Sequence, residues 1–204
     1  PKYEAQQLTL GDHLYTDDVR IEGMVHGALK FSEYPRAKVL KIHTEAAEAM
    51  EGVLRVFTAD DVPGERYIGL IKQDWVMMIA EGEITHYVGD VVASVVAESE
   101  SIARDALSKI EVEYEPLEVV SDMHAALEAD SPKVHAGDED NILARIAFQR
   151  GDIEEARVKS AFVSEGIYET QRIEHAFMEP ETAVAYPKED GVEVLSQGQG
   201  VYED

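Results

Sequence analysis

The chain has 204 residues, 45% of them hydrophobic and 29% charged, enough to bury one sizeable core or two small ones. Asp and Glu number 42 against 18 Lys and Arg, a formal net charge of −24 that repels nucleic-acid backbones and anionic membranes alike. With no cysteine, the chain can hold neither a disulfide, an iron–sulfur cluster nor a thiol nucleophile of its own.

No apolar run approaches the roughly 20 residues of a membrane span, and the start carries no signal-peptide pattern, so a cytoplasmic protein is expected. The chain begins at Pro1 and stops in "GQGVYED" without a helix end or a polar tail. Both ends read as cut, and a piece of a larger protein is expected.

The first twenty residues read as polar and irregular. "MVHGALKFS" (24–32) and "AKVLKIHT" (37–44) mix apolar and β-branched residues at strand length. "TEAAEAMEG" reads as a short helix that Thr44 can cap and Gly52 can close. "VLRVFT" (53–58) follows as a strand, ended by the turn chemistry of "ADDVPG".

"VVASVVA" (91–97) is a continuous apolar run, as expected of a strand covered on both faces. Ser99 caps a helix whose apolar positions Ile102, Ala103, Ala106, Leu107 and Ile110 share a face. "IEVEYE" then alternates as a half-exposed strand. The β-α-β order leaves room for a crossover, which predicts a parallel pair.

Residues 118–141 mix a small helix, "DMHAALEAD", with turn formers and acid, and a domain boundary is expected there. Beyond it "ILARIAFQRG" reads as a strand, "DIEEARVKS" as a short capped helix and "AFVSEGIYETQRI" as a long strand. "ETAVAYP" and "VEVLSQ" flank the "KEDG" turn and predict a hairpin.

His175 and Glu179 stand four apart in "QRIEHAFMEPETAVAYP", a metal-compatible spacing on a helix. Pro180 and the β-like flanks favour instead a turn in which the two bond backbone or each other. "GQG" (198–200) lacks the third glycine and the helix of a nucleotide loop. Ser196 has no indicated base. The remaining histidines read as separate surface or structural residues, and Trp75 as packing. The residues alone therefore support an α/β chain of two units without a self-sufficient catalytic set.

In order and spacing, several stretches resemble the molybdenum hydroxylases, specifically the large molybdopterin-binding subunit of xanthine dehydrogenases and aldehyde oxidases. They are "TDD" (16–18), "GMVHGALKFSEYPRAKVLKIHTEAAEAMEGVLRVFTADDVPG" (23–64), "HYVGDVVASVVAESESIARDALSKIEVEYEPL" (86–117), "RGDIEEA" (150–156) and "YETQRIEHAFMEPETAVAYPKEDGVEVLSQGQG" (168–200). The "GQGVYED" ending is most similar to the selenium-dependent xanthine dehydrogenase branch.

The resemblance implies an α/β hammerhead domain of mixed sheet and helices over residues 15–120 and a linker over 121–141. The first strands of a molybdenum-cofactor-binding domain would follow over 142–204. It also implies that the parent hydroxylates an N-heterocycle or aldehyde with water-derived oxygen, using a glutamate base. That glutamate and the glycine- and phenylalanine-rich cofactor loop are not in this chain. The chain alone is then expected to be inactive and to bind no molybdopterin. Its partners would be the remainder of the large subunit, iron–sulfur and flavin subunits or domains, and a small purine, other N-heterocycle or aldehyde substrate. The alternative is a non-catalytic domain that docks subunits of such a complex.

In "QRIEHAFMEP" the resemblance makes Gln, His and Glu framing residues rather than ligands. It also implies a Gln after the "DG" turn that hydrogen-bonds a non-protein ligand of the metal. Counted from Asp190-Gly191, Gln199 matches best and Gln197 competes, flanked by Gly198 and Gly200. A carboxamide suits this work because its NH₂ donates without adding charge.

Overall fold

The computed structural model describes residues 5–69, 72–135, 137, 139–177, 179 and 181–198. Two compact units make up the chain, one of residues 21–142 and one that joins 1–20 to 143–204. The second unit opens the chain with a short helix, α1 (Ala5–Leu10), and a 3-10 turn at Thr16–Asp18.

In the 21–142 unit come β1 (His26–Phe31), β2 (Ala37–His43), a single helical turn α2 (Glu45–Glu48) and β3 (Val53–Phe57). After them lie the two-residue strands β4 (Tyr67–Ile68) and β5 (Trp75–Val76), then β6 (Val91–Ala97), α3 (Glu100–Leu107) and β7 (Glu111–Pro116). β6 lies between β1 and β3 and runs antiparallel to both, while β2 pairs antiparallel with β7. The apolar run of β6 suits this central place: Val92, Ala93, Val95 and Ala97 are all fully buried.

Ser99 caps α3 by accepting the Ile102 amide at 3.3 Å. The helix then lays buried Ala103 and Ala106 against β1 and β6, small side chains that allow close approach. One core joins the two sheets, with Val39 and Ile42 from β2, Val56 from β3, Val92, Ala93 and Val95 from β6, and Ala106 from α3.

The expected parallel pair does not form. Both edges of β6 are occupied, by β1 and β3, so the strand after α3 has no free edge there and pairs with β2. Thr44 does not cap α2 through its side chain; its hydroxyl bonds the Glu48 carboxylate instead. Nor does Gly52 close that turn, which ends at Ala49; it bends the chain from Met50 into β3 instead, at φ 84°, where an added Cβ would fall 2.7 Å from Ile102 Cδ1. Trp75 is 70% exposed rather than packed, because a two-residue strand leaves its side chain without a covering layer.

A segment of little regular structure holds the two sheets together. Val39 N–H bonds Glu83 O at 2.9 Å, Thr85 N–H bonds Ala37 O at 2.8 Å, and Ile79 N–H bonds Val91 O at 2.8 Å. Thr85 is fully buried, and its hydroxyl accepts from Ala37 N–H at 2.9 Å while lying 3.2 Å from Tyr34 O. Arg66 grips the Glu83 carboxylate with two guanidinium nitrogens at 2.9 and 2.6 Å, and this pair holds Glu83 below the usual carboxylate range.

In the second unit α4 (Ile153–Lys159) is capped by Asp152, whose carboxylate accepts the Glu155 amide at 2.9 Å. The strands β8 (Ala183–Lys188) and β9 (Gly191–Ser196) form the hairpin read from the sequence. The two strands read over "ILARIAFQRG" and "AFVSEGIYETQRI" do not form. Their apolar residues lie open, with Ile146 at 94% and Phe162 at 95% exposure. Among the described residues neither stretch has a neighbouring strand to take its backbone groups, and an unpaired extended segment forms no ladder.

Replacing Thr85 by Val keeps the shape and removes the hydroxyl, leaving the buried Ala37 N–H without its side-chain acceptor. The variant is expected to lose about 1–3 kcal/mol of stability in urea unfolding. A midpoint like that of the parent chain would show that the hydroxyl does not join the sheets.

Candidate functional site

The hairpin turns over Glu189–Asp190, and its register sets Lys188 opposite Gly191, Tyr186 opposite Glu193, Val184 opposite Leu195 and Ala183 opposite Ser196. The loop is two residues long, the common length of a tight hairpin connection, and Gly191 opens β9 as the partner of Lys188. Strand side chains alternate, so Val184 and Tyr186 share a face with Glu193 and Leu195. Val184 is the buried member, at 5% exposure.

That face carries a cross-strand polar cluster. Tyr186 Oη donates to Glu193 Oε1 at 2.5 Å, and Lys188 Nζ closes on the other carboxylate oxygen. Lys188 foremost, then Tyr186, holds the Glu193 carboxyl below the usual carboxylate range. The same contacts push the Tyr186 phenol and the Lys188 ammonium up. The cluster clamps the pairing of β8 with β9.

Continued past β9, the alternation of half-buried positions Glu193, Leu195 and Gln197 brings Gln197 to the same face at the open end of the hairpin. Its carboxamide makes no hydrogen bond to another described residue. Gly198 follows and is exposed. Gln199 and Gly200 lie outside the described residues, as does the remainder of the ending that carries the resemblance to a selenium-dependent branch.

Upstream, the chain turns at Ala176, whose φ of 52° is unusual for a residue with a side chain. His175 lies exposed, with its ring stacked on Phe177 at 5.4 Å. Glu179 bonds backbone, as its turn reading allowed, but not locally: Oε1 accepts the amide of Thr16 at 2.9 Å, across 163 residues of sequence. The Thr16–Asp18 turn packs against β8.

Sequence reading missed a pairing in the 21–142 unit. His86 and His135 stack at 5.4 Å, with His86 Nδ1 3.3 Å from buried Asp90 and His135 Nε2 3.9 Å from Asp74. Neither histidine has a local signal of the other, since they are brought together only by the fold. Among the described residues no group of three or more His, Cys, Asp or Glu is arranged to hold a metal ion. Likewise no helix among them is long and apolar enough to cross a membrane.

A family model for the aldehyde oxidase and xanthine dehydrogenase a/b hammerhead domain matches residues 10–118. The chain belongs to the molybdenum hydroxylase family. A second model, the molybdopterin cofactor-binding domain, matches residues 134–204 of this molybdenum hydroxylase chain. A protein of Bacillus subtilis described as a probable xanthine dehydrogenase subunit is 40% identical over 181 residues, covering 89% of the chain and 24% of that relative. The nicotinate dehydrogenase large molybdopterin subunit of Eubacterium barkeri is 29% identical over 191 residues, 94% of the chain and 44% of that relative.

Among solved structures, the aldehyde oxidoreductase of Desulfovibrio gigas superposes with a TM-score of 0.83 at 28% identity, over 96% of the chain and 23% of that structure. The chain thus spans less than half the length of these relatives.

The Glu193 cluster has a signed pH dependence. A depressed carboxylate contributes its stabilisation in full above the free value of 4.5 and loses it as pH falls from there through the lowered value. Amide protection factors in β8 and β9, with exchange rates corrected for their intrinsic pH dependence and followed from neutral to acid pH, should therefore fall below that value. Glu193→Gln should exchange faster at neutral pH and lose the acid step; an unchanged step would place its origin elsewhere.

Proposed function

We propose that residues 15–120 form the hammerhead domain, 121–141 a linker and 142–204 the first part of the molybdopterin-binding domain of a molybdenum hydroxylase large subunit. The spans of the two matching family models support this division. The whole protein, of xanthine dehydrogenase or aldehyde oxidase type, hydroxylates a carbon of an N-heterocycle or aldehyde with water-derived oxygen. Xanthine and nicotinate, in the names of two relatives, are both N-heterocycles.

One observation supports a site at this end of the hairpin: the register brings Gln197, the competitor to Gln199, to a half-buried position where its carboxamide bonds no other described residue. This fits the cofactor, because a carboxamide offers two N–H donors to an oxo or sulfido group and leaves its carbonyl free for an anchor. When bound, the molybdenum cofactor supplies the redox and oxygen-transfer chemistry. The chain's part is to aim and restrain. Gln199, with Gln197 as the competitor, donates to a ligand of the metal and fixes its orientation without adding charge. Gly198 and Gly200, lacking Cβ, let the backbone approach closely.

Several relatives are named as subunits, which supports partners in the form of the rest of the large subunit and iron–sulfur and flavin components. A cytoplasmic setting belongs to the same proposal. On its own the chain is proposed to be inactive, since neither a base nor a cofactor loop is within it.

The exposed apolar residues of the second unit, with Phe148, Phe162, Ile167 and Tyr168 all open, favour a second reading, a non-catalytic domain that docks other subunits of such an oxidoreductase complex. Stable co-elution with an iron–sulfur subunit in gel filtration is the expected outcome for docking, and separate peaks at micromolar concentration would speak against it.

For the cofactor-facing amide, Gln199→Ala and Gln197→Ala in the full-length enzyme separate the candidates. Gln199→Ala is expected to lower turnover by about 10- to 100-fold, the usual cost of losing a group that orients a metal's ligand. Gln197→Ala is expected to do less. Retained turnover with an unchanged cofactor spectrum in Gln199→Ala would refute its assignment.

A further inference from the structure

Glu179, set aside as a metal ligand and lying outside the hairpin strands, makes a bond that spans 163 positions of sequence, to the Thr16 amide at 2.9 Å. The recipient is a turn with unmet needs. A short 3-10 turn leaves its leading N–H groups without partners of its own. In the Thr16–Asp18 turn two consecutive amides find carboxylates instead: Asp18 Oδ2 takes Tyr15 N–H at 3.0 Å, and Glu179 Oε1 takes Thr16 N–H. The first bond is local and holds the turn closed. The second ties the turn to the segment entering β8.

Placement gives this bond its consequence. Ala183 opposes Ser196, so the segment leading into β8 and the segment leaving β9 meet at the same, open end of the hairpin. Gln197 is the first residue past β9 at that end, and the Thr16–Asp18 turn, tied by Glu179 to the segment entering β8, packs against β8. The Glu193 cluster clamps the opposite, turn-proximal half of the hairpin, since Tyr186, Lys188 and Glu193 lie within three positions of Glu189–Asp190. At the open end the strands share the apolar Val184–Leu195 pair, and Glu179 adds a polar tie to the segment that enters β8 there. A carboxylate on an acidic Thr-Asp-Asp turn, in a chain of net charge −24, is otherwise repelled; a charge-assisted bond to a backbone amide offsets this.

We infer that Glu179 is a positioning residue, a clasp that holds the N-terminal turn against β8 and through it fixes the open hairpin end from which the Gln197 carboxamide emerges. The inference rests on the proposed function only in giving that carboxamide a task; the clasp itself is a property of this chain.

The test uses the 204-residue chain in three forms, unsubstituted, Glu179→Ala and Glu179→Gln, with two readouts. Hydrogen exchange of the 15–18 amides reports the clasp, and the side-chain ¹⁵N–¹H₂ resonances of Gln197, assigned by their loss in Gln197→Ala, report its position. Glu179→Ala is expected to speed exchange at Thr16 by about tenfold or more, the effect of losing a hydrogen bond to a charged group. It is also expected to shift and broaden the Gln197 side-chain signals. Glu179→Gln keeps an acceptor oxygen and should restore both. Unaltered exchange in Glu179→Ala overturns the clasp. Faster exchange with unmoved Gln197 signals, or a failure of Glu179→Gln to restore them, overturns the positioning role. None of these readouts needs molybdenum, so a failure of the cofactor reading, seen as full-length protein that holds none, remains a separate result.

Discussion

The antiparallel pairing of β8 with β9 is the constraint on which the functional account rests. A strand's side chains alternate, so a slip of one residue would turn Gln197 to the opposite face along with Leu195 and Glu193. The pairing is held where slippage would begin, at the turn, by the Glu193 carboxylate between Tyr186 and Lys188. Val184, buried and opposite Leu195, adds the apolar preference for one face. A carboxamide proposed to face a cofactor needs a reproducible direction, and a fixed register of β8 on β9 is what the proposal requires.

The 21–142 unit is stabilised on a different principle. Its two sheets are not continuous with each other through strand pairing; they share a core, and the backbone of residues 79–90 bonds to both. Buried polar side chains in that segment, Thr85 and Asp90, take backbone amides of their surroundings, Ala37 for the one and His86 and Tyr87 for the other. Each such group is costly unless satisfied, and each therefore specifies a single arrangement of the loop.

What could be read from the residues follows the range of the interactions. The run "VVASVVA", the Ser99 cap and the amphipathic spacing behind it depend on neighbours in sequence, and β6 and α3 form where they were read. Whether β7 pairs with β6 depends on who holds the edges of β6, and the partners in β1 and β3 come from 37 to 71 residues upstream. Local pattern carries no trace of that. Residues 142–151 and 161–173 have strand-like sequence, but a strand is a property of a pair, and no described neighbour completes it. The Glu179–Thr16 bond and the His86–His135 stack are equally invisible from the sequence, since only folding brings the partners together. For the candidate site, the chemistry of a carboxamide was legible, but the choice of Gln197 and Gln199 came from family resemblance and not from any spacing rule.

The central claim is that this chain presents a glutamine amide as one wall of a molybdopterin site in a larger subunit. The most direct measurement is a structure of the cofactor-loaded full-length enzyme, with the distance from each carboxamide nitrogen to the nearest non-protein ligand of molybdenum. The account predicts that Gln199 or Gln197 lies within hydrogen-bond reach, about 3 Å, on the face shared with Leu195. Both amides turned away, with another residue or solvent meeting that ligand, would contradict it.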